Sequence, residues 1–366
     1  MNSMLEVGYS LLDKGLVPDF LIRMAVRFLS RQRLREIDAG SFEANHAAKM
    51  KWIEEVRSRE TIADVPEEAN KQHYEVPTEF ILSTLGPYGK YSSCLYPTGR
   101  ESLAEAEKLM LESYCAKAQL RDGLNILDLG CGWGSLSLFL AEKYPNSHIT
   151  GLSNSSTQKL HIDATAKQRG LTNVQIFTGD VNTFEFGETF EKFDRILSIE
   201  MFEHMKNYEA LFKKVSTWLR PRDAKKEFSS EADESLLFIH IFCHRTTPYH
   251  FVEDDGWMAQ NFFTGGTMPS HDLFLYFQTD LTLVRSWYLP GTHYSRTLEH
   301  WLKLQDRNGK EGLQVLRKDA KAKGIPPEEG EKTFHRFRVF YMACSEFFNM
   351  DGGQQWGIGH YLFKAK

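Results

Sequence analysis

The 366-residue sequence has no C-x-x-C pair, no H-E-x-x-H and no phosphate-loop lysine after its glycine-rich stretch. Its five cysteines (Cys94, Cys115, Cys131, Cys243 and Cys344) are odd in number and scattered. That usage argues against a disulfide framework and a structural zinc site, and it suits a reducing, cytoplasmic setting. Long apolar runs are also missing. "LLFIHIF", with His240 inside it, falls far short of the roughly 20 residues of a membrane span, so no stable membrane insertion is expected. Glu6 and Asp13 break up the early apolar positions, which argues against a signal peptide. The net charge of −5 leaves no global basic field, and nucleic acid is not an expected partner. No internal repeat or low-complexity tract is visible.

A 42% hydrophobic content is enough for a substantial core. Residues 1–115 read as a helical N-terminal region, with charged and apolar positions at helical spacing. Within it, "LIRMAVRFLSRQRLR" is basic and amphipathic. A membrane-surface helix is one reading, and packing of its Leu and Phe face on the main domain is the simpler one. Residues 116–250 alternate short apolar strands ("LNILDLG", "HITGLS", "VQIFTGD", "FDRILSI", "SLLFIHIFC") with helices. This predicts an α/β, Rossmann-like doubly wound sheet. "RPRDAKKEFSSEADES" reads as a solvated loop before the last of those strands. Residues 251–350 are dense in aromatics and read as a cap with a returning strand and helices. Residues 351–366 read as a C-terminal strand of the core sheet, at its edge.

"LDLGCGWGSLSL" places Asp128, Gly130, Gly132 and Gly134 between a strand and a helix. Glycines let the backbone approach a ligand, and the helix start offers free N–H groups. The spacing is G-x-G-x-G with an acid two residues ahead, not the dinucleotide G-x-G-x-x-G. This favours S-adenosylmethionine, in the class I methyltransferase fold. At the ends of the next strands, Ser153, Asn154 and Gln158 could bond ribose hydroxyls. Asp180 could accept from an adenine amino group, with Val181 beside it and Ile199 at the fourth strand end. The plainer reading of Ser153 and Asp180 is a helix N-cap.

"NKQHYEVPTEF", "KYSSCLY", "LDLGCGWG", "GLSNSSTQ" and "RILSIEMFEHMKNY", in this order, resemble the cyclopropane-fatty-acid-synthase-like methyltransferases. Within that group they look most like plant amine N-methyltransferases of the coclaurine type. The resemblance implies S-adenosylmethionine as methyl donor, S-adenosylhomocysteine as product, and contacts from Tyr91 and Ser92 to the donor's amino acid portion. It also implies that lipid-modifying members carry a glycine at the place of Glu200, and at the place of Ser93 a cysteine that helps hold a bicarbonate ion. Having Glu200 and lacking that cysteine favours methylation of an amine over that of an alkene. A lipid C-methyltransferase is the alternative. A homodimer is compatible with the sequence, which does not fix the oligomeric state.

Read this way, "SIEMFEHMKNY" holds the chemistry. Residues three and four apart share a helix face, so Glu200, Glu203 and His204 could point into one site. Glu200 is the expected partner of the substrate ammonium. Glu203 and His204 are the expected proton acceptor and its orienting group. His240, Cys243 and His244 do not complete a tetrahedral metal set, and no metal is expected. Cys344 reads as a buried structural thiol. Aromatic faces attract a cationic amine, and Tyr74, Phe202, Phe263, Tyr288, Phe337 and Tyr341 are candidates for the acceptor pocket.

Overall fold

The structure, a computed structural model, describes residues 2–63, 76–221, 234–251, 257–262 and 266–366. The chain opens with helices α1 (Asn2–Asp13), α2 (Asp19–Glu36), α3 (Phe42–Arg57), α4 (Thr78–Thr84) and α5 (Leu103–Lys117). Then come β1 (Asn125–Leu129), α6 (Ser135–Lys143), β2 (His148–Ser153), α7 (Ser156–Arg169), β3 (Val174–Thr178), β4 (Arg195–Ile199), α8 (Tyr208–Trp218) and β5 (Leu236–His244). The remainder holds β6 (Tyr249–His250), α9 (Trp257–Phe262), β7 (Thr267–Met268), β8 (Leu281–Pro290), α10 (Thr292–Arg307), α11 (Gly309–Ala322), α12 (Pro327–Phe348) and β9 (Trp356–Ala365).

Seven strands form one sheet in the order β3-β2-β1-β4-β5-β9-β8. β1 to β5 pair in parallel. The inner strands β1, β4 and β5 are buried along nearly their whole length, as central strands of a parallel sheet should be, while the edge strand β3 is half-exposed. The strand order reverses between β1 and β4, the place where doubly wound sheets bind ligands beyond their carboxyl ends. β9 runs antiparallel and lies between β5 and β8. It is therefore an inner strand, not the edge its terminal position suggested. β8, assigned from sequence to the cap, is the edge strand of the core sheet. "RPRDAKKEFSSEADES" lies mostly outside the described residues.

Three apolar layers hold the sheet in place. Phe202, Tyr208, Phe212 and Trp218 pack against Leu237, Ile239 and Phe363 on one face. Met110, Leu111 and Tyr114 of α5 and Leu136 and Leu140 of α6 pack against Ile126, Leu197 and Phe238 on the other. α4, α10, α11 and α12 form a third cluster around Phe80, Trp301, Phe334, Phe337 and Tyr341, with Cys344 buried in it. α2 joins this cluster through Ile22 and through ion pairs of Arg23 with Glu299 (2.6 Å) and Glu346 (3.0 Å). Its packing departs from the simple reading, because Phe20, Met24, Phe28 and Leu29 stay exposed.

Candidate active site

One cavity, about 1340 Å³ of empty volume including its open mouth, lies at the carboxyl ends of the parallel strands. The glycine loop forms its floor. Gly130, Gly132 and Gly134 all have positive φ, and a Cβ on Gly132 would meet no atom within 4 Å. At Gly134 a Cβ would meet Ile162 at 2.6 Å, so glycine there lets the loop seat on α7. Asp128, buried beneath the loop, accepts a hydrogen bond from the Ser137 hydroxyl at 2.6 Å, and burial pushes its pKa up to about 7.

All eleven residues expected to meet the donor (Tyr91, Ser92, Asp128, Gly130, Gly132, Ser153, Asn154, Gln158, Asp180, Val181 and Ile199) line this cavity. The N-cap of α7 is Ser155, not Ser153. Ser153 donates to Gln158 Oε1 at 2.7 Å and so turns the Gln158 amide nitrogen away from it. That nitrogen, the indole N–H of Trp133 and the Ser135 hydroxyl are buried, line the cavity and lack partners among the described residues. Three orphaned polar groups around an open glycine floor suit a ligand with hydroxyl, amide and charged groups. S-adenosylmethionine fits that donor set. Asp180 receives the Asn182 N–H at 2.9 Å, so its local turn and its place on the wall coexist.

The 198–212 stretch folds differently from one α-helical turn. Glu200 follows β4 at φ +49°, a left-handed conformation uncommon outside glycine, while its N–H donates to the His240 carbonyl at 2.8 Å. Phe202–His204 then make a short 3-10 helix. In that geometry Glu203 and His204 diverge. Glu200 and His204 line the cavity, whereas Glu203 is buried behind it and accepts from the Phe242 N–H at 2.6 Å. The expected Glu203–His204 pair is thus not brought together on one wall.

The two carboxyls occupy contrasting surroundings. Glu200 Oε1 receives the Ser93 N–H at 2.9 Å and His240 Nε2 at 3.0 Å, and Oε2 receives the Tyr294 hydroxyl at 2.6 Å. Burial raises its pKa, but the Lys90 ammonium, the Ser93 N–H and the Tyr294 hydroxyl oppose that rise. Glu203 has one donor and an orphaned Oε2, and burial plus the Glu200 charge push it well above the usual carboxyl range. Environments that drive two neighbouring carboxyls apart assign them different protonation states. Burial and the Glu200 charge push Glu203 towards the neutral acid, whereas the three donors on Glu200 favour its carboxylate.

Lys90, which opens "KYSSCLY", is a functional residue that the sequence pattern alone does not reveal. It lines the cavity and donates to Ser92 Oγ (2.5 Å) and the Ser93 carbonyl (2.7 Å). Trp133 and Ser135 also went unassigned, despite standing in the glycine-loop motif itself. Tyr114, another lining residue, had no motif to reveal it.

The acceptor-pocket aromatics fared worse. Phe202 is fully buried in the core against Phe212 and Phe274. Phe337 and Tyr341 pack inside the α12 cluster, with Tyr341 hydrogen-bonded to Thr84 Oγ1 at 2.9 Å, and Tyr288 lies on β8 against His271. None of the four lines the cavity, because each faces its own layer of packing. Tyr74 and Phe263 lie outside the described residues. Tyr91 does line the cavity, stacked on Trp301 (5.2 Å between centroids), while Tyr294, stacked on Phe348 (4.6 Å), reaches Glu200 through its hydroxyl.

Comparison with known proteins adds the lineage. The family model of mycolic acid cyclopropane synthetase matches residues 63–354. (S)-coclaurine N-methyltransferase of Thalictrum flavum subsp. glaucum is 37% identical over 97% of this chain and 94% of its own. Pavine N-methyltransferase of the same plant is 33% identical over 97% of this chain and 95% of its own. A crystal structure of coclaurine N-methyltransferase with N-methylheliamine and SAH bound superposes with a TM-score of 0.86 at 35% identity, over 99% of both chains. No helix among the described residues is long and apolar enough to cross a membrane. The chain therefore belongs to the cyclopropane-synthetase family of S-adenosylmethionine-dependent methyltransferases, and within it to the coclaurine-type amine N-methyltransferases.

Proposed function

We propose that the enzyme methylates the nitrogen of a small aromatic amine alkaloid of the benzylisoquinoline or phenylalkylamine kind. One observation carries this reading: an anchored carboxylate, Glu200, stands on the wall of the cavity that holds the glycine loop, with His204 on the same wall. A lysine-like alkylamine titrates near ~10.4, so the acceptor arrives as a cation and must lose a proton to expose its lone pair. S-adenosylmethionine supplies an electrophilic methyl group on a sulfonium. The remaining tasks fall to the chain.

Glu200 binds the ammonium. A carboxylate has about four acceptor sites, and three are filled here by protein donors, leaving one on Oε2 beside Tyr294. His204 takes the N–H proton, imidazole being the side chain that exchanges protons most readily near neutral pH. Glu203, neutral behind the turn, keeps a second negative charge away from Glu200 until a cation is present. The Tyr91 ring, on the wall of the same cavity, offers its face to the same cation. The five cysteines are all free and buried, which supports a cytoplasmic setting.

Transfer of labelled methyl groups to a panel of aromatic alkylamines, run beside an unsaturated phospholipid, tests the reading. Label should appear on amine nitrogen, with a rate that climbs from about pH 6 towards about pH 8 or 9 as proton loss becomes easier. Label on the lipid and on no amine would overturn it.

A further inference from the structure

Behind Glu200 a row of polar side chains crosses the sheet to the protein's outer side. Ile199, His240, His360 and Trp287 are register partners on β4, β5, β9 and β8, so their side chains stack along one line. Tyr114 and Lys117, three residues apart on α5, face that line. Lys117 Nζ lies 2.7 Å from His360 Nδ1, His360 Nε2 lies 3.0 Å from His240 Nδ1, and His240 Nε2 lies 3.0 Å from Glu200 Oε1. Both imidazoles are fully buried, in a sheet interior where Leu or Val would cost less. Lys117 is half-buried, its ammonium over the Trp287 ring.

We propose that Lys117 and His360 are positioning residues that act through His240 to hold Glu200 as a carboxylate. An ammonium only donates and a carboxylate only accepts, so the two ends of the row impose one direction on it. Lys117 donates to His360 Nδ1, which places the His360 proton on Nε2. His360 donates to His240 Nδ1, which places the His240 proton on Nε2, where it meets Glu200. The reverse arrangement moves three protons by one hydrogen bond each and leaves Glu200 a neutral acid and Lys117 a neutral amine. The Tyr114 hydroxyl also reaches His240 Nδ1, at 2.8 Å, but a hydroxyl can donate or accept and sets no direction.

The charges around the row agree with this direction. Burial keeps both imidazoles well below their ordinary pKa, so each carries a single proton and has one tautomer to choose. Lys90 faces His240 and Glu200, and His293 faces His360. Burial and Arg285 lower Lys117 to about 8, which leaves it mostly an ammonium at neutral pH. His204 faces Glu200 from the cavity, and Glu203 faces it from behind the turn.

The inference rests on Glu200 as the countercharge, and its test has a readout independent of turnover. In nitrogen-15 histidine spectra, both His240 and His360 should show the Nε2–H pattern at neutral pH. Lys117→Met should leave a cooperative thermal transition, mix the His360 tautomers, and raise KM for a strongly basic amine about fivefold, the scale of one lost hydrogen bond, with kcat nearly unchanged. Lys117→Arg, another pure donor, should restore both spectrum and KM. An Nδ1–H tautomer at either histidine in the parent enzyme overturns the relay. So does a Lys117→Met variant whose tautomers mix while KM stays at the parent value. Methylation of lipid alone would overturn the functional reading and leave the tautomer result standing.

Discussion

Gly132 and Glu200 stand on walls of the same cavity, yet the chain assembles their surroundings in opposite ways. Around Gly132 the partners come from successive strand ends between Asp128 and Ile199, and the doubly wound topology delivers them together. Around Glu200 they come from Ser93, His240 and Tyr294, which lie 107, 40 and 94 residues away in sequence. The donor half is a property of the fold, so a change there should act on every acceptor alike. The acceptor half is a charge held by a long-range network, so a change there should depend on the charge of the amine.

The sharpest break is Gly132→Val. Its side chain would project into the open floor at φ +52°, and calorimetry should show S-adenosylhomocysteine binding weakened at least about 100-fold, since a filled site must exclude the ligand. Unfolding should stay cooperative at a lowered midpoint, because no protein atom lies within 4 Å of the added Cβ but the left-handed backbone strains a β-branched residue. His204→Ala comes next. Steady-state kinetics should show kcat lowered by about 10²-fold with a small change in KM, as befits a proton acceptor used in the transition state. Tyr294→Phe removes one of the Glu200 donors and should raise KM for a basic amine about tenfold, with donor affinity unaltered.

The smallest effect is on stability. Asp128 is raised to about 7 in the folded chain by burial. Its stabilising contribution is complete below its unfolded pKa near ~3.9 and is lost as pH rises through the folded value. Denaturant titration of the ligand-free protein should therefore show this site costing about 1 kcal/mol between about pH 6 and about pH 8. Asp128→Asn should flatten that slope.

The same contrast decides what could be read from the sequence. The glycine spacing and the polar residues at strand ends were legible because each depends on its neighbours in the chain and on strand order. Glu200 and His204 were legible as residue types. Their split from Glu203 was not, because a left-handed residue followed by a 3-10 turn leaves no mark on helical spacing. The sequence pattern around His240 suggests at most a metal ligand, since nothing local announces that Tyr114, His360 and Glu200 converge on it. Phe202, Tyr288, Phe337 and Tyr341 show the limit of aromatic density as a signal. Large rings are used for packing wherever layers meet, and the sequence does not say which layer is open. β9 lies inside the sheet and not at its edge for the same reason, because the sequence does not show that β8 leaves the cap region to pair with it.

The account stands most directly on the charge at position 200. Glu200→Gln keeps the side chain's shape and its acceptor for Ser93 and His240 while removing the anion. KM should be measured for two acceptors of similar shape, a strongly basic alkylamine and an arylamine that is uncharged at the assay pH. KM should rise at least tenfold for the charged acceptor, on the order of one charge-assisted contact, and change little for the neutral one. Equal losses for both acceptors would contradict this, because Glu200 would then be holding the shape of the site and not the charge of the amine.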